Sequence, residues 1–362
     1  MEKVSLLSSM TRENLPERVD LQKKDGDPRK TAYFVNTLMN YHRVVQIWKD
    51  FGALEKVTFT DDKKAQSDVE KGISVKLRKE TWEERRHMAS EHCLTVEAGC
   101  RVLGQALEEK GLIDGFDLKM LSSAALIHDA GKFLEFNLVS MALIDNPDKE
   151  KMLDFIKSQY GLYYLDSEAQ EDMNNAVEEI INCGQSGTRG LIAYDLASRI
   201  NGRRLITARV NEGLVEIQAQ VGHSSCPEME NLLNEFEGKM GHARQLAVVK
   251  LVIHYVDDIV TNPNIIDPGI SVLPDGSRQN ALDRRCEQNE KNAKYKDYNL
   301  AWPEYSKRGN GETAFQMQKR VGKMVEAKLA ELLGIEDPLT LPAVINQRIE
   351  MNILDFTSKK NR

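Results

Sequence analysis

Leu121-Ser122-Ser123-Ala124-Ala125-Leu126-Ile127-His128-Asp129-Ala130-Gly131-Lys132 is the stretch on which the reading of this chain turns. Its first seven residues are apolar or small on every side. That describes a central, buried helix rather than one with a solvent face. Two strong metal ligands then stand side by side. Burying an imidazole next to a carboxylate is costly unless something compensates both. A divalent cation does so, because imidazole nitrogen and carboxylate oxygen are good ligands for it. Adjacent side chains on a helix diverge by about 100°. His128 and Asp129 therefore reach one ion only near the helix end, where Gly131 allows a stop and a close approach.

The rest of the chain limits what such a site belongs to. The 362 residues suit one large domain or two modest ones, and 41% hydrophobic with 29% charged residues is ordinary for a globular protein. No apolar run approaches the roughly 20 residues of a membrane span, so no membrane partner is expected. The N-terminal residues are too polar for a secretion signal. Cys93, Cys100, Cys183, Cys226 and Cys286 are scattered and odd in number. They read as reduced thiols of a cytoplasmic protein. A net charge of −7 argues against duplex nucleic acid as a partner, which is held by many Lys and Arg contacts. A small anion remains open, because a local basic pocket can sit on an acidic protein.

Helical periodicity dominates. It predicts helices over about 31–51, 82–109, 118–133, 149–159, 167–182, 227–238, 242–261 and 314–333, the last closing at Gly334. Residues 55–80 are highly charged and read as surface. Leu205–Val210 and Leu214–Val221 flank Asn211-Glu212-Gly213, which predicts a β-hairpin inserted at about 203–222. Prolines 263, 268 and 274 make 262–281 a long loop. The apolar stripe Phe315, Val321, Met324, Val325, Leu329 and Leu332 fits core packing or a homo-oligomer interface equally.

Two further helices carry partners for His128-Asp129. The preceding one bears His92, and successive antiparallel helices can face each other across a core. The helix Leu246–Val260 is apolar except for a wedge of Lys250, His254, Asp257 and Asp258. Two adjacent carboxylates on a buried helix call for a counter-charge. A metal supplies it, and Lys250 is a partial alternative.

These three pieces resemble the HD-domain superfamily of metal-dependent phosphohydrolases over about residues 85–262. Ala124–Lys132 is similar to that family's core helix nearly residue for residue, and Tyr255-Val256-Asp257 resembles its final ligand motif. The resemblance implies an all-α HD-domain helical bundle. Its divisions would be an N-terminal helical extension (1–80), a metal-binding domain (81–265) that carries the hairpin, and a C-terminal loop and helical extension (266–362). It implies His92, His128, Asp129 and Asp257 as ligands of a divalent ion, whether Mn, Zn, Fe, Ni, Co or Mg. The implied activity is hydrolysis of a phosphomonoester or phosphodiester in a nucleotide or another small phosphate-containing substrate. Lys132 would neutralise phosphate charge, Asp258 or Glu91 would serve as general acid or base, and Arg85 and Arg86 are further phosphate-binding candidates. Many members carry extra histidines that bind a second metal. The equivalent segment here holds Cys183-Gly184, which favours a single ion, with His223 and His242 as the only replacements. The alternatives are an HD-fold di-iron oxygenase, which needs those extra histidines, and a non-catalytic HD-like regulator.

Overall fold

The computed structural model describes residues 38–39, 41–53, 56–59, 85–160, 167–184, 186–221, 225–261, 265–291 and 312–360. The described residues are mostly helical. Helix α1 (Tyr41–Asp50) leads to strand β1 (Lys56–Phe59), which pairs antiparallel with β2 (Arg85–Met88). Helices α2 (Ala89–Glu109) and α3 (Gly115–Ile127) follow, then α4 (Lys132–Leu143), α5 (Lys149–Tyr160), α6 (Ser167–Asn182) and α7 (Ser186–Thr207). Short α8 (Glu212–Gln218) and α9 (Cys226–Asn234) precede the long α10 (Gly241–Ile259). The chain closes with α11 (Ala281–Lys291), α12 (Ala314–Leu333) and α13 (Leu341–Lys360). Among the described residues no helix is long and apolar enough to cross a membrane.

Two apolar cores organise these helices. The larger gathers α1, α2, α3, α10, α12 and α13, with Trp48, Leu103, Leu121, Ile127, Val252, Val256, Val325 and Ile345 inside. The smaller is built from α4 to α7 around Leu134, Leu138, Ile156, Val177 and Leu196. Helix α3 is the centre of the first. Every residue from Leu121 to Ile127 is buried, as its all-round apolar character requires. Asp114 starts it with a capping box: its side chain accepts from Phe116 N and Asp117 N, while the Asp117 side chain accepts from Asp114 N. Trp48 of α1 donates its indole N–H to the Leu126 carbonyl at 2.8 Å, so its polar end is satisfied in the core. Helix α10 approaches α2 closely at Gly99, where a Cβ would lie 2.6 Å from Val256 Cγ1.

The chain corrects several expectations. The segment 203–222 is not a hairpin. Helix α7 runs on through Leu205 to Thr207, and α8 begins at Glu212. The apolar residues read as alternating strands lie on helix faces (Leu205, Leu214 and Ile217) or in the connection between them (Val210), and all four are buried in the larger core. Asn211, taken for a hairpin turn, is the N-cap of α8 and accepts from Gly213 N at 2.9 Å. The helix expected from Trp82 starts at Ala89, after β2. The motif helix stops at Ile127, and the His128–Gly131 turn separates it from α4. The loop 262–281 holds the short strands β4 (Ile265–Ile266), β5 (Ser271–Val272) and β6 (Arg278–Gln279). A short β3 (Val260–Thr261) pairs with β4. Helix α13 was not anticipated.

The motif turn is where the two cores meet, and glycine is required there. A Cβ on Gly131 would fall 2.1 Å from Asn201 Nδ2 and 2.2 Å from its Cγ. Asn201, on α7, donates to the Gly131 carbonyl at 3.0 Å. Its Oδ1 accepts from the buried Arg204 at 3.4 Å, and Arg204 also donates to the Asp50 carbonyl and lies over the Phe51 ring. Gly131→Ala should therefore destabilise the protein by about 1–3 kcal/mol, the usual cost of overpacking. Adding Asn201→Ala should recover part of that loss in a denaturant double-mutant cycle. Strict additivity of the two changes would refute the clash.

Glu97, on α2, gives the fold a pH dependence. Burial raises its carboxyl pKa from 4.5 to about 7, against the opposing pulls of Arg101 and of its hydrogen bond from Ser122. The folded state thus holds this proton more tightly than the unfolded chain. Stability from this group is fully present below about pH 4.5 and declines by ~3 kcal/mol as pH rises to about 7. Glu97→Gln should flatten that slope relative to wild type in urea titrations across the same range.

Candidate metal centre

Three helices aim side chains at one buried point. His92 lies in the first turn of α2, His128 just beyond the end of α3, and Asp257 in the last turn of α10. One ligand atom from each lies within 4.8 Å of the others, and all three residues are buried. His92 Nε2 is 2.8 Å from Asp257 Oδ1, and His128 Nε2 is 3.3 Å from the same oxygen. The two rings are 5.2 Å apart between centroids. Donors each bonded at about 2.1 Å to one ion stand about 3 Å from one another, so the spacing fits a metal.

The orientation of His128 fits as well. Its Nδ1 lies 2.8 Å from the Ala125 carbonyl. A carbonyl only accepts, so Nδ1 carries the proton and Nε2 of the neutral ring is a lone pair. That Nε2 is buried with no hydrogen-bond partner. A backbone acceptor that fixes the tautomer and aims the other nitrogen is the usual support of a metal-bound histidine.

Asp129 adds a second carboxylate at the edge of this cluster. Its Oδ2 is 3.7 Å from His92 Nε2, and its Oδ1 is 3.8 Å from His128 Nε2. The Lys132 ammonium is 3.5 Å from Asp129 Oδ1 and 3.2 Å from Glu135 Oε1. The Lys132 side chain is 25% exposed, while His92, His128, Asp129 and Asp257 are nearly sealed.

Electrostatics shows what the cluster needs. Burial alone would raise Asp257. The close approach of the His128 and His92 imidazoles and the charge of Arg285 outweigh it and hold the carboxyl well below its ordinary value. Burial would lower His128, but Asp129, the adjacent Cys93 thiol and Asp257 push it well above. Asp129 is lowered despite burial by Lys132, His128 and His92. Each shift favours positive charge between the nitrogens and the carboxylates. A proton supplies it, and so does a divalent ion.

The other sequence candidates lie elsewhere. Asp258 projects about 100° around α10 from Asp257 and makes other contacts. Its Oδ1 accepts from Gln318 Nε2 at 2.6 Å, and its Oδ2 is 3.5 Å from His254 Nε2. Lys250 pairs with Glu216 instead of the aspartates. His242 is exposed at the start of α10, about 22 Å along the helix from Asp257. Cys183 directly follows α6, and its carbonyl accepts from Arg189 at 3.0 Å. His223 and the side chains of Glu91, Arg85 and Arg86 lie outside the described residues. The backbone of Arg85 and Arg86 is strand, paired with Phe59 and Thr58, and not helix. Sequence reasoning missed Cys93 and Arg285. Cys93 carries no spacing signal beyond adjacency to His92. Arg285 comes from the segment beyond the expected domain.

If the cluster takes up an ion, binding to the folded state alone stabilises it. Saturation to 100 times the dissociation constant adds about 2.7 kcal/mol. Added Mn²⁺ or Zn²⁺ should raise the melting temperature of wild type, and His128→Ala should abolish that increment. No protein family, curated protein or solved structure matches the chain.

Proposed function

We propose that this chain is a divalent-metal-dependent phosphohydrolase of the HD-domain type, acting on a nucleotide or another small phosphate ester. The observation that carries the reading is the unpartnered, buried Nε2 of His128. It is aimed at Asp257 and backed by a carbonyl on the other ring nitrogen. The motif spacing supports it, because His92, His128 and Asp257 come from three separated segments and meet at one point. Among the described residues this is the one cluster of its kind, which fits a single ion better than the paired irons of an oxygenase.

His92, His128 and Asp257 would hold the ion, with Asp129 as the fourth ligand. When bound, a divalent ion lowers the pKa of water toward neutrality and polarises a phosphoryl oxygen. The chain's own groups supply the rest. Ala125 fixes the His128 tautomer through its carbonyl. Asp129 sits between the histidines and Lys132, so it links the ion to a cation that can offset phosphate charge. Lys132 stays protonated there, because Asp129 and Glu135 outweigh burial and hold its pKa well above the ordinary value. It therefore acts by charge and not as a base. Asp258, tied to Gln318 and His254, does not reach the cluster and is dropped as the general acid or base.

Protein loaded with Mn²⁺ should release phosphate from members of a nucleotide and phosphodiester panel and bind one ion per chain. Lys132→Met should lower kcat/KM about 10²–10³-fold, the scale of one lost electrostatic stabiliser, with the ion still bound. Activity that survives His128→Ala with Asp129→Ala would exclude this site.

A further inference from the structure

The segment after residue 265 reaches back to the ligand helix at its functional end. Helix α10 finishes at Ile259, so its final carbonyls have no partners within the helix. The Val256 carbonyl is taken by Val260 N. The Asp257 carbonyl accepts from Arg285 Nη1 at 2.7 Å, and the Val260 carbonyl accepts from the same nitrogen. Arg285 is on α11, which packs against α10, β3 and α12. A guanidinium nitrogen carries two protons, so one Nη1 can serve both carbonyls. Its positive charge also suits a helix C-terminus.

These contacts bear on the main chain of the residue whose carboxylate sits in the cluster. The Asp257 carbonyl and carboxylate hang from one Cα. Fixing the carbonyl fixes the rotation of the last turn of α10, and with it the direction from which Oδ1 meets His92 and His128. The guanidinium is also one of the charges that stabilise the Asp257 carboxylate.

We infer that Arg285 is a positioning residue for the metal ligand Asp257, so that α11 is a working part of the metal centre. The inference rests on the metal-dependent reading above. Arg285 acts on the ligand through backbone and charge, as outer partners of metal ligands do, and loss of such a partner costs about 10–100-fold in metal affinity.

The test is calorimetric titration of full-length protein with Mn²⁺, together with the visible absorption of the Co²⁺ form. Wild type is measured first, and failure to bind either ion overturns the metal reading itself. Given binding by wild type, Arg285→Ala should weaken Mn²⁺ affinity about 10–100-fold and shift the Co²⁺ bands, and millimolar guanidinium should restore both. Arg285→Lys keeps the charge on a shorter reach and covers the case in which the alanine variant does not fold. It should bind more weakly than wild type, with shifted Co²⁺ bands. Wild-type affinity and spectrum in either folded variant would overturn the positioning role, as would a loss in Arg285→Ala that guanidinium leaves unrepaired.

Discussion

Two nitrogens and a carboxylate oxygen share one buried point between α2, α3 and α10, and no protein group satisfies His128 Nε2 there. Much of the fold near the site follows from keeping these atoms together. An imidazole lone pair facing a carboxylate in a dry interior is unfavourable unless positive charge lies between them. That demand fits how closely the surroundings are packed. Helix α3 is buried throughout Leu121–Ile127, and α2 and α10 approach closely at Gly99, two turns beyond His92 and against the neighbour of Asp257. Closer helix axes shorten the reach that His92 and Asp257 need to make their 2.8 Å contact.

Helix α10 is held from outside by the C-terminal helices. Tyr255 donates to Glu326 at 2.7 Å, Arg285 takes the Asp257 carbonyl, and Gln318 holds Asp258. Three residues within one turn of the ligand helix are thus tied to α11 and α12. Buried polar groups fix a helix's rotation more narrowly than apolar packing, because their geometry tolerates little error. The same helices share the larger apolar core through Ala281, Leu282, Val321, Val325 and Leu329. The C-terminal segment is accordingly continuous with the helices that carry the His–Asp cluster in packing and in polar contact.

The parts of this arrangement that the sequence revealed are those with a period or a chemical oddity. Helices α5, α6, α10 and α12 follow the apolar spacing within a few residues. His92, His128, Asp129 and Asp257 stood out as polar groups on apolar helices, and they come within 4 Å of a neighbouring member of the set. Two features escaped for different reasons. In 203–222, Leu205 on α7, Val210 in the connection and Leu214 and Ile217 on α8 are buried together, and the chain changes direction at Arg209, whose φ is +59°. A direction change inside a run of β-branched residues mimics strand, turn and strand. Arg285 was invisible for another reason. Its partners are backbone carbonyls, and no residue type in a sequence announces a main-chain acceptor.

The position of the motif turn explains why the His–Asp cluster and the Lys132 cation are anchored in different cores. Ala130 belongs to the larger core and Leu134 to the smaller, so the chain crosses between them within a few residues. His128 and Asp129 are sealed on one side of that crossing. Lys132 opens the first turn of α4 on the other and keeps part of its surface in solvent. The proposed hydrolysis of a phosphate ester would need both conditions at once. Its ion must be held by groups that do not rearrange, and its substrate must arrive from water toward positive charge. The Gly131–Asn201–Arg204 chain of contacts clamps the crossing, which fixes Lys132 relative to Asp129 although they are anchored in separate cores. On this view Gly131, between Asp129 and Lys132, is the space that Asn201 occupies, and the distance from carboxylate to cation is set by α7, a helix that supplies neither.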